Sequence, residues 1–321
     1  MTAIEVVFHL PGVVIEGEGS FPLGSGRVEA LSFDQWQRID NAFYFASAKF
    51  TRSRPVFWVG NVNLETVTQE NILKEASTIR YKVHSAFLLE PRLPWIPTPV
   101  LSVTYCRVPT NEQVVKSMWL RQIGPMEREW VVYGSDVNVY YDATTLSQVD
   151  QLFTWLEKFY PLSYYKSAFV GLSVLERTAR PDSWWGDSYK HSINDFVHCV
   201  AACEDLMLQP NTKNLTDTFG RHAAALTSST HSKVKQLAKP WSQVYHLRTK
   251  LMHGRIGLDA LDDNDKKLLS MARNLLREII IAVLSLQLCH DDEDSLPSLL
   301  AQAFVDPVAH ATLHQRLEAQ T

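Results

Sequence analysis

Hydrophobic and polar residues follow two different periods along the chain, and the change falls near residue 145. Before it, short β-branched or aromatic runs bounded by glycine or proline occupy residues 4–8, 27–31, 56–59 and 101–105. Such runs predict strands. One helix is predicted among them, over residues 69–87, where apolar residues recur with a helical period. We therefore expect a mixed, strand-rich domain over residues 1–145.

After residue 145 the apolar residues keep a helical period. Their stripes predict helices over about 146–160, 161–177, 187–208, 215–226, 231–253 and 262–288, with an amphipathic tail from Ser295 that could add one more. Short connections between successive amphipathic helices are typical of a bundle. The expected fold class is α+β, in which the strand-rich domain is followed by an all-α domain over residues 146–321.

Four glycines, at positions 17, 19, 24 and 26, interrupt the first region. Their spacing is not that of a phosphate-binding P-loop, and no Gly-Lys-Ser/Thr sequence follows them. They predict a turn or loop without a nucleotide site. We expect the first domain to act in recognition or sensing, because it contains no group of residues suited to catalysis.

Composition excludes several classes of protein. A chain of 321 residues that is 45% hydrophobic and 21% charged is typical of two globular domains. Its most apolar run, residues 279–288, is shorter than the roughly 20 residues that span a bilayer. The four cysteines lack metal-ligand spacing, so no metal and no cofactor are expected. Since no secretion signal is visible, we expect a cytoplasmic protein without a membrane segment.

Charge is distributed unevenly along the second domain. The chain has a formal net charge of -4, yet no aspartate or glutamate lies between Asp217 and Asp259. Seven cations fall in that segment: Arg221, Lys233, Lys235, Lys239, Arg248, Lys250 and Arg255. A positive segment on an acidic chain favours an anionic partner. The alternative is a helix face that is only solvated.

Within this segment, Arg248 lies five positions before His253, and Gly254 follows. Histidine can transfer protons near neutral pH, and arginine stays charged and fits the geometry of a phosphate. Together they supply what RNA cleavage without a metal requires: proton transfer and stabilisation of the charge on the phosphoryl oxygens. A basic last turn that only offsets the helix dipole is the structural alternative.

The spacing restricts how the two side chains could act together. On an ideal helix they lie roughly 140° apart, so they do not share a face. A compact site would need a helix that ends at His253, a long reach by Arg248, or a second copy of the motif from another subunit. Gly254 predicts that the helix ends there.

The stretch Tyr245-x-x-Arg248-Thr249-x-x-Met252-His253-Gly254 resembles the signature of the HEPN superfamily, in particular its ApeA-like branch. The resemblance covers roughly residues 160–290. It includes Glu204 before a small apolar cluster and the short segment 221–225. The branch usually has serine where this chain has Thr249, which keeps the hydroxyl group. Many active members of the superfamily have Asn, Asp or His at that position.

The resemblance implies a function and a set of site residues. It implies a metal-independent endoribonuclease in which His253 transfers protons, Arg248 stabilises phosphoryl charge, and Tyr245, Thr249 and Glu204 support them. The RNA backbone would contact four further cations: Lys235, Lys239, Lys250 and Arg255.

It also implies a biological setting. Two copies would form a homodimer whose Arg-x4-His motifs face each other, in phage defence or as a regulated toxin. The first domain would then bind a phage-derived trigger or an inhibitor. The alternative that Thr249 leaves open is a non-catalytic HEPN module that binds a nucleotide, RNA or a protein.

Overall fold

The structure is a computed structural model, and it describes residues 1–10, 13–16, 19–30, 56–90, 101–108, 113–120, 139–160, 166–178, 188–254, 263–288 and 295–319. The chain divides into two compact units, Met1–Glu157 and Lys158–Thr321. The first unit contains a sheet, and the regular structure described in the second is helical, which is consistent with the predicted α+β class. Within the described ranges, none of the helices has the length and apolar character needed to cross a bilayer.

The described residues of the first unit form short strands and two helices. The strands are β1 Thr2–His9, β2 Val13–Ile15, β3 Ser20–Leu23, β4 Gly26–Ala30, β5 Val56–Leu64, β6 Leu101–Val108, β7 Gln113–Leu120 and β8 Val139–Tyr141. The helices are α1 Gln69–Leu89 and α2 Ala143–Phe159. Six strands form an antiparallel sheet in the order β3-β4-β5-β1-β6-β7, while β2 pairs in parallel with β8.

β1 lies in the middle of the six-stranded sheet, where its Val7 pairs with Val59 of β5 and with Tyr105 of β6. The ring of Phe8 stacks on Trp58 with centroids 5.2 Å apart, and Trp58 Nε1 donates to the Leu23 carbonyl oxygen at 3.1 Å. α1 packs against the central strands. Because it buries its apolar stripe there, the helix predicted over residues 69–87 is confirmed, and it extends to Leu89.

The expectation of a loop through the four glycines is wrong in part. β3 and β4 pair as an antiparallel hairpin, and the register joins Phe21 to Val28. A four-residue strand offers only two positions on each face, so alternation is hard to recognise in the sequence.

The second unit contains seven described helices. They are α3 Lys166–Thr178, α4 Ser188–Met207, α5 Leu215–Thr227, α6 His231–Met252, α7 Asp263–Ser285, α8 Leu296–Val305 and α9 Pro307–Glu318. The start predicted near residue 161 lies outside the described residues. The tail forms two helices, since Asp306 ends α8 and its side chain then accepts from Val308 N at the start of α9.

Two groups of helices make up this unit. α3, α4 and α7 pack on one another, and α5 forms a hairpin with α6. Gly220 of α5 lies against α6 so closely that an added Cβ would be 2.5 Å from the Ala238 carbonyl oxygen. α4 also contacts α6, and α8 and α9 cover the hairpin. This packing brings the end of α4 against the second half of α6.

Candidate functional site

α6 ends where the sequence predicts. His253 is its C-terminal cap, and its amide still donates to the Thr249 carbonyl oxygen at 3.2 Å. Gly254 follows with φ of 61°, the left-handed conformation that glycine adopts at little cost. The helix is held through its buried face, which comprises Val234, Trp241, Val244, Tyr245 and Leu247. His253 therefore sits at a fixed end of a packed helix, and it is exposed.

Arg248 points towards α4. Its Nη2 lies 3.4 Å from Glu204 Oε2, and both side chains are about three-quarters covered, with 23% and 25% of their surface exposed. The guanidinium carbon also lies 5.6 Å from the centroid of the Tyr245 ring. A carboxylate and an aromatic face thus fix the position of this cation.

Glu204 is shared between Arg248 and Tyr245. Tyr245 Oη donates to Glu204 Oε1 at 3.0 Å, while Oε2 faces the guanidinium. Burial, and then the hydrogen bond to Glu204, raise the pKa of Tyr245 to about 12. The phenol therefore stays protonated and remains a donor. Its ring packs at 5.1 Å from the ring of Phe219, so α5 also supports it.

One donor of Arg248 is left over. Among the described residues, its buried Nε–H has no acceptor. An unpaired buried donor costs free energy, and that cost disappears when an acceptor arrives. The guanidinium of Arg248 is therefore held in place, but not all of its hydrogen-bond donors have an acceptor.

Thr249 makes a local contact. Its Oγ1 donates to the Tyr245 carbonyl oxygen at 3.1 Å, four residues earlier in the same helix. A serine could form the same bond, because only the hydroxyl is used.

Arg248 and His253 occupy different sides of α6 in one copy of the chain. Arg248 turns to Glu204 on α4, whereas His253 is exposed at the helix end. The angle between them around the helix is roughly 140°. Of the predicted residues, the fold therefore joins Tyr245, Arg248 and Glu204 and leaves His253 apart from them.

Several exposed or half-buried basic side chains lie along the outer face of α6. We call this set the basic row: Lys235, Lys239, His246, Lys250 and His253. At about 100° and 1.5 Å per residue, the row stays within about 60° of arc and extends for about 27 Å. In the described part of the chain, none of its three lysines forms an ion pair with a carboxylate.

The basic residues near the end of α6 differ in two ways from those that the sequence predicts. His246, which the sequence analysis did not select, lies in the basic row seven positions before His253, and this spacing was the signal that could have identified it. Arg255 lies outside the described residues.

Other reactive groups are enclosed. Cys106, Cys199 and Cys203 are buried thiols, and burial raises the pKa of Cys106 to about 12 and that of Cys203 well above its usual value. A protonated, buried thiol is a poor nucleophile. Over the ranges the structure describes, no three potential ligands are arranged to hold a metal ion.

No family model, curated protein or solved structure matches this chain. The resemblance to the HEPN superfamily therefore depends on the residues of α4, α5 and α6 themselves.

Proposed function

We propose that the chain is a metal-independent endoribonuclease of the HEPN type whose active site is completed by a second copy of itself. The proposal rests on one observation: Glu204 holds Arg248 in place, and His253 is exposed at the end of the same helix. One copy separates these groups by roughly 140°. Two helix ends that face each other could place the arginine of one copy beside the histidine of the other.

The reaction would need only these side chains. One His253 would take the proton of the 2′-hydroxyl as its oxygen forms a bond to the adjacent phosphorus. The second His253 would give a proton to the leaving 5′ oxygen as its bond to phosphorus breaks. Arg248 would stabilise the negative charge on the two non-bridging oxygens. The products would be a cyclic phosphate and a free 5′-hydroxyl.

Glu204 and Tyr245 would act through Arg248. Glu204 holds the guanidinium, and Tyr245 holds Glu204. A phosphate would compete with this carboxylate, and the unpaired Nε–H would become its additional donor. Thr249 would support the last turn of the helix through its bond to the Tyr245 carbonyl oxygen.

The basic row supports RNA as the substrate. Its lysines have no carboxylate partners in the described residues, and exposed glutamines at positions 236 and 243 lie beside the row. Lysine and glutamine are typical of contacts with a phosphate backbone, whereas a protein interface needs an apolar centre that this face lacks. The row ends at His253, so a bound strand would be led to the proposed site.

The biological setting follows from the same resemblance. A nuclease of this kind would serve in phage defence or as a regulated toxin, and the sheet-containing unit would bind the trigger or inhibitor. Its activity would be directed at RNA inside the cell.

A second candidate has its own support. Glu204 already neutralises Arg248, as expected if the arginine is structural. The chain would then be a non-catalytic HEPN module that binds a nucleotide, RNA or a protein.

The decisive experiment compares variants on RNA in the presence of EDTA. Wild type, Arg248→Ala, His253→Ala and a control variant of an exposed histidine on α4, His198→Ala, are incubated with total RNA, and the new ends are analysed. We expect cleavage and cyclic phosphate ends with wild type and His198→Ala, and almost none with the other two. Intact RNA with wild type, or cleavage by His253→Ala, would refute the nuclease; binding without cleavage would favour the second candidate.

Mixing tests the composite site. Arg248→Ala and His253→Ala are each inactive in the proposal, but a mixed dimer retains one arginine and one histidine. Partial recovery of cleavage after mixing and subunit exchange is expected, because the remaining histidine still supplies one of the two proton transfers. A monomer in solution that still cleaves RNA would contradict the shared site.

A further inference from the structure

Three histidines of the second unit form a cluster that the proposed nuclease does not use. His231 is the first residue of α6, while His310 and His314 lie one turn apart on α9. Ring centroids are 4.4 Å apart for His310 and His314 and 5.6 Å apart for His231 and His310. The cluster therefore joins the last helix to the start of α6.

Each ring forms a hydrogen bond with the backbone of another segment of the chain. His231 Nε2 donates to the Phe304 carbonyl oxygen of α8 at 3.2 Å, and His314 Nε2 donates to the Ala225 carbonyl oxygen of α5 at 3.0 Å. His310 forms a backbone hydrogen bond with Ser228. Because a carbonyl oxygen only accepts, the bonded nitrogen must carry the proton of the neutral ring. Any further proton would go to the opposite nitrogen.

The surroundings of His310 disfavour a further proton. Its side chain is almost fully enclosed, and its Nε2 has no partner among the described residues. Burial, and then His314 of α9 and His231 of α6, lower its pKa, and no carboxylate offsets them. The nearby Arg221 of α5 lies over the Phe304 ring and pairs with Asp217. The surroundings of His310 thus favour its neutral ring.

α9 buries little apolar surface. Its buried residues are His310 and Leu313, and Leu317 is half-buried. α8, in contrast, buries Leu296, Pro297, Leu300 and Ala303. Loss of the histidine contacts would therefore affect α9 before it affects α8.

We propose that His231, His310 and His314 form a proton-sensitive latch that holds α9 on the α5–α6 hairpin while His310 is neutral and releases it when His310 takes up a proton. The described residues, this cluster included, contain no arrangement of three ligands for a metal ion. Protons are then the charges to which the cluster responds. Release would uncover the start of α6 and the Ala225 carbonyl. This end of α6 lies opposite the end that carries His253.

The direction of the response follows from linkage. In the released helix His310 is in water, where a histidine has a pKa of about 6.5. Its pKa is lowered in the docked state, so that state binds fewer protons. Docking is therefore complete above about pH 6.5 and weakens as the pH falls below it. The slope of the opening equilibrium against pH gives the number of protons taken up.

Hydrogen exchange on the full chain measures this equilibrium. Amide protection in α9 is compared with that in α5, α6 and α8 between pH 8 and pH 5, after correction for the intrinsic exchange rate. We expect opening of α9 to increase by up to about tenfold for each pH unit below about pH 6, the limit for uptake of one proton, while the other helices stay protected. Unchanged α9 protection at pH 5, or simultaneous loss in all helices, would overturn the latch.

Substitutions assign the protons. His310→Gln and His310→Asn each remove the ring that takes up the proton but keep a side-chain donor, and each should lower the slope by about one proton or less. His246→Gln, on the exposed face of α6, is the matched control and should behave as wild type. If one variant fails to dock α9 at pH 8, the other still reports the slope; a wild-type slope in that variant contradicts the proposal.

Discussion

Tyr245 and Glu204 lie 41 positions apart in the chain and are joined by a 3.0 Å hydrogen bond between α6 and α4. The same carboxylate faces Arg248 through its other oxygen. The position of Arg248 therefore depends on a contact between two helices and not only on α6.

Tyr245→Phe should destabilise the second unit by about 1 kcal/mol, because Glu204 Oε1 loses its partly buried donor while the ring packing on Phe219 remains. Chemical denaturation of both proteins gives the difference in unfolding free energy. Tyr140→Phe is the control, since Tyr140 is 58% exposed and should change stability little. Equal stability of Tyr245→Phe and wild type would mean that this bond contributes nothing.

Gly220→Ala should cost about 2 kcal/mol or more, since its methyl group would meet the Ser242 side chain and the Ala238 carbonyl oxygen. Backbone atoms of α6 can give way only if the hairpin separates. In Gly171→Ala, the nearest atoms are the ends of flexible leucine and isoleucine side chains, the closest at 3.3 Å. That control should stay within about 1 kcal/mol of wild type. Thermal unfolding that ranks the two variants in the opposite order would contradict the close helix approach.

Stability should fall below about pH 6.5 partly because of His222. Its Nδ1 donates to the Met207 carbonyl oxygen at 2.8 Å, and burial, followed by Arg221, lowers its pKa. The unfolded chain then binds the proton more readily, so the contribution of His222 is present above about pH 6.5 and is lost as pH falls. Between pH 7 and pH 5, the free energy of unfolding should fall less for His222→Gln than for wild type. The difference should be at most about 1.4 kcal/mol for each unit by which folding lowers the pKa of His222. His246→Gln should retain the wild-type slope.

The basic row should account for the salt dependence of RNA binding. Lys235→Gln and Lys239→Gln should each lower the slope of log K against log salt by about one. Lys233→Gln removes the same charge from the same helix, but it lies about 100° from Lys250 and outside the row. Binding titrations at several salt concentrations separate the three. An equal effect of Lys233→Gln would show that only the overall charge matters.

Much of the secondary structure follows from the sequence. The stripe from Ile72 to Phe87 predicts α1, and Gly254 predicts the end of α6, because helix period and helix termination are local properties. The amphipathic pattern of the tail predicts one helix. The break within it also has a local signal, because Asp306 can cap a helix and Pro307 favours its first turn.

The site could be predicted only in part. Arg248, His253 and Tyr245 stand out in the sequence, yet the orientation of Arg248 depends on Glu204, 44 positions earlier, through packing of α4 on α6. The histidine cluster was missed for the same reason. His310 and His314 show the spacing of one helix turn, but His231 comes from a helix about 80 positions earlier.

The acid-free outer face of α6 has a consequence for self-association. Two copies that met through their α6 ends would bring like charges together, so added salt should strengthen the dimer by screening them over a Debye length of about 8 Å at physiological ionic strength. RNA held by the same lysines would respond in the opposite direction. Low ionic strength would thus favour RNA binding and weaken dimer formation, whereas high ionic strength would favour the dimer and weaken RNA binding.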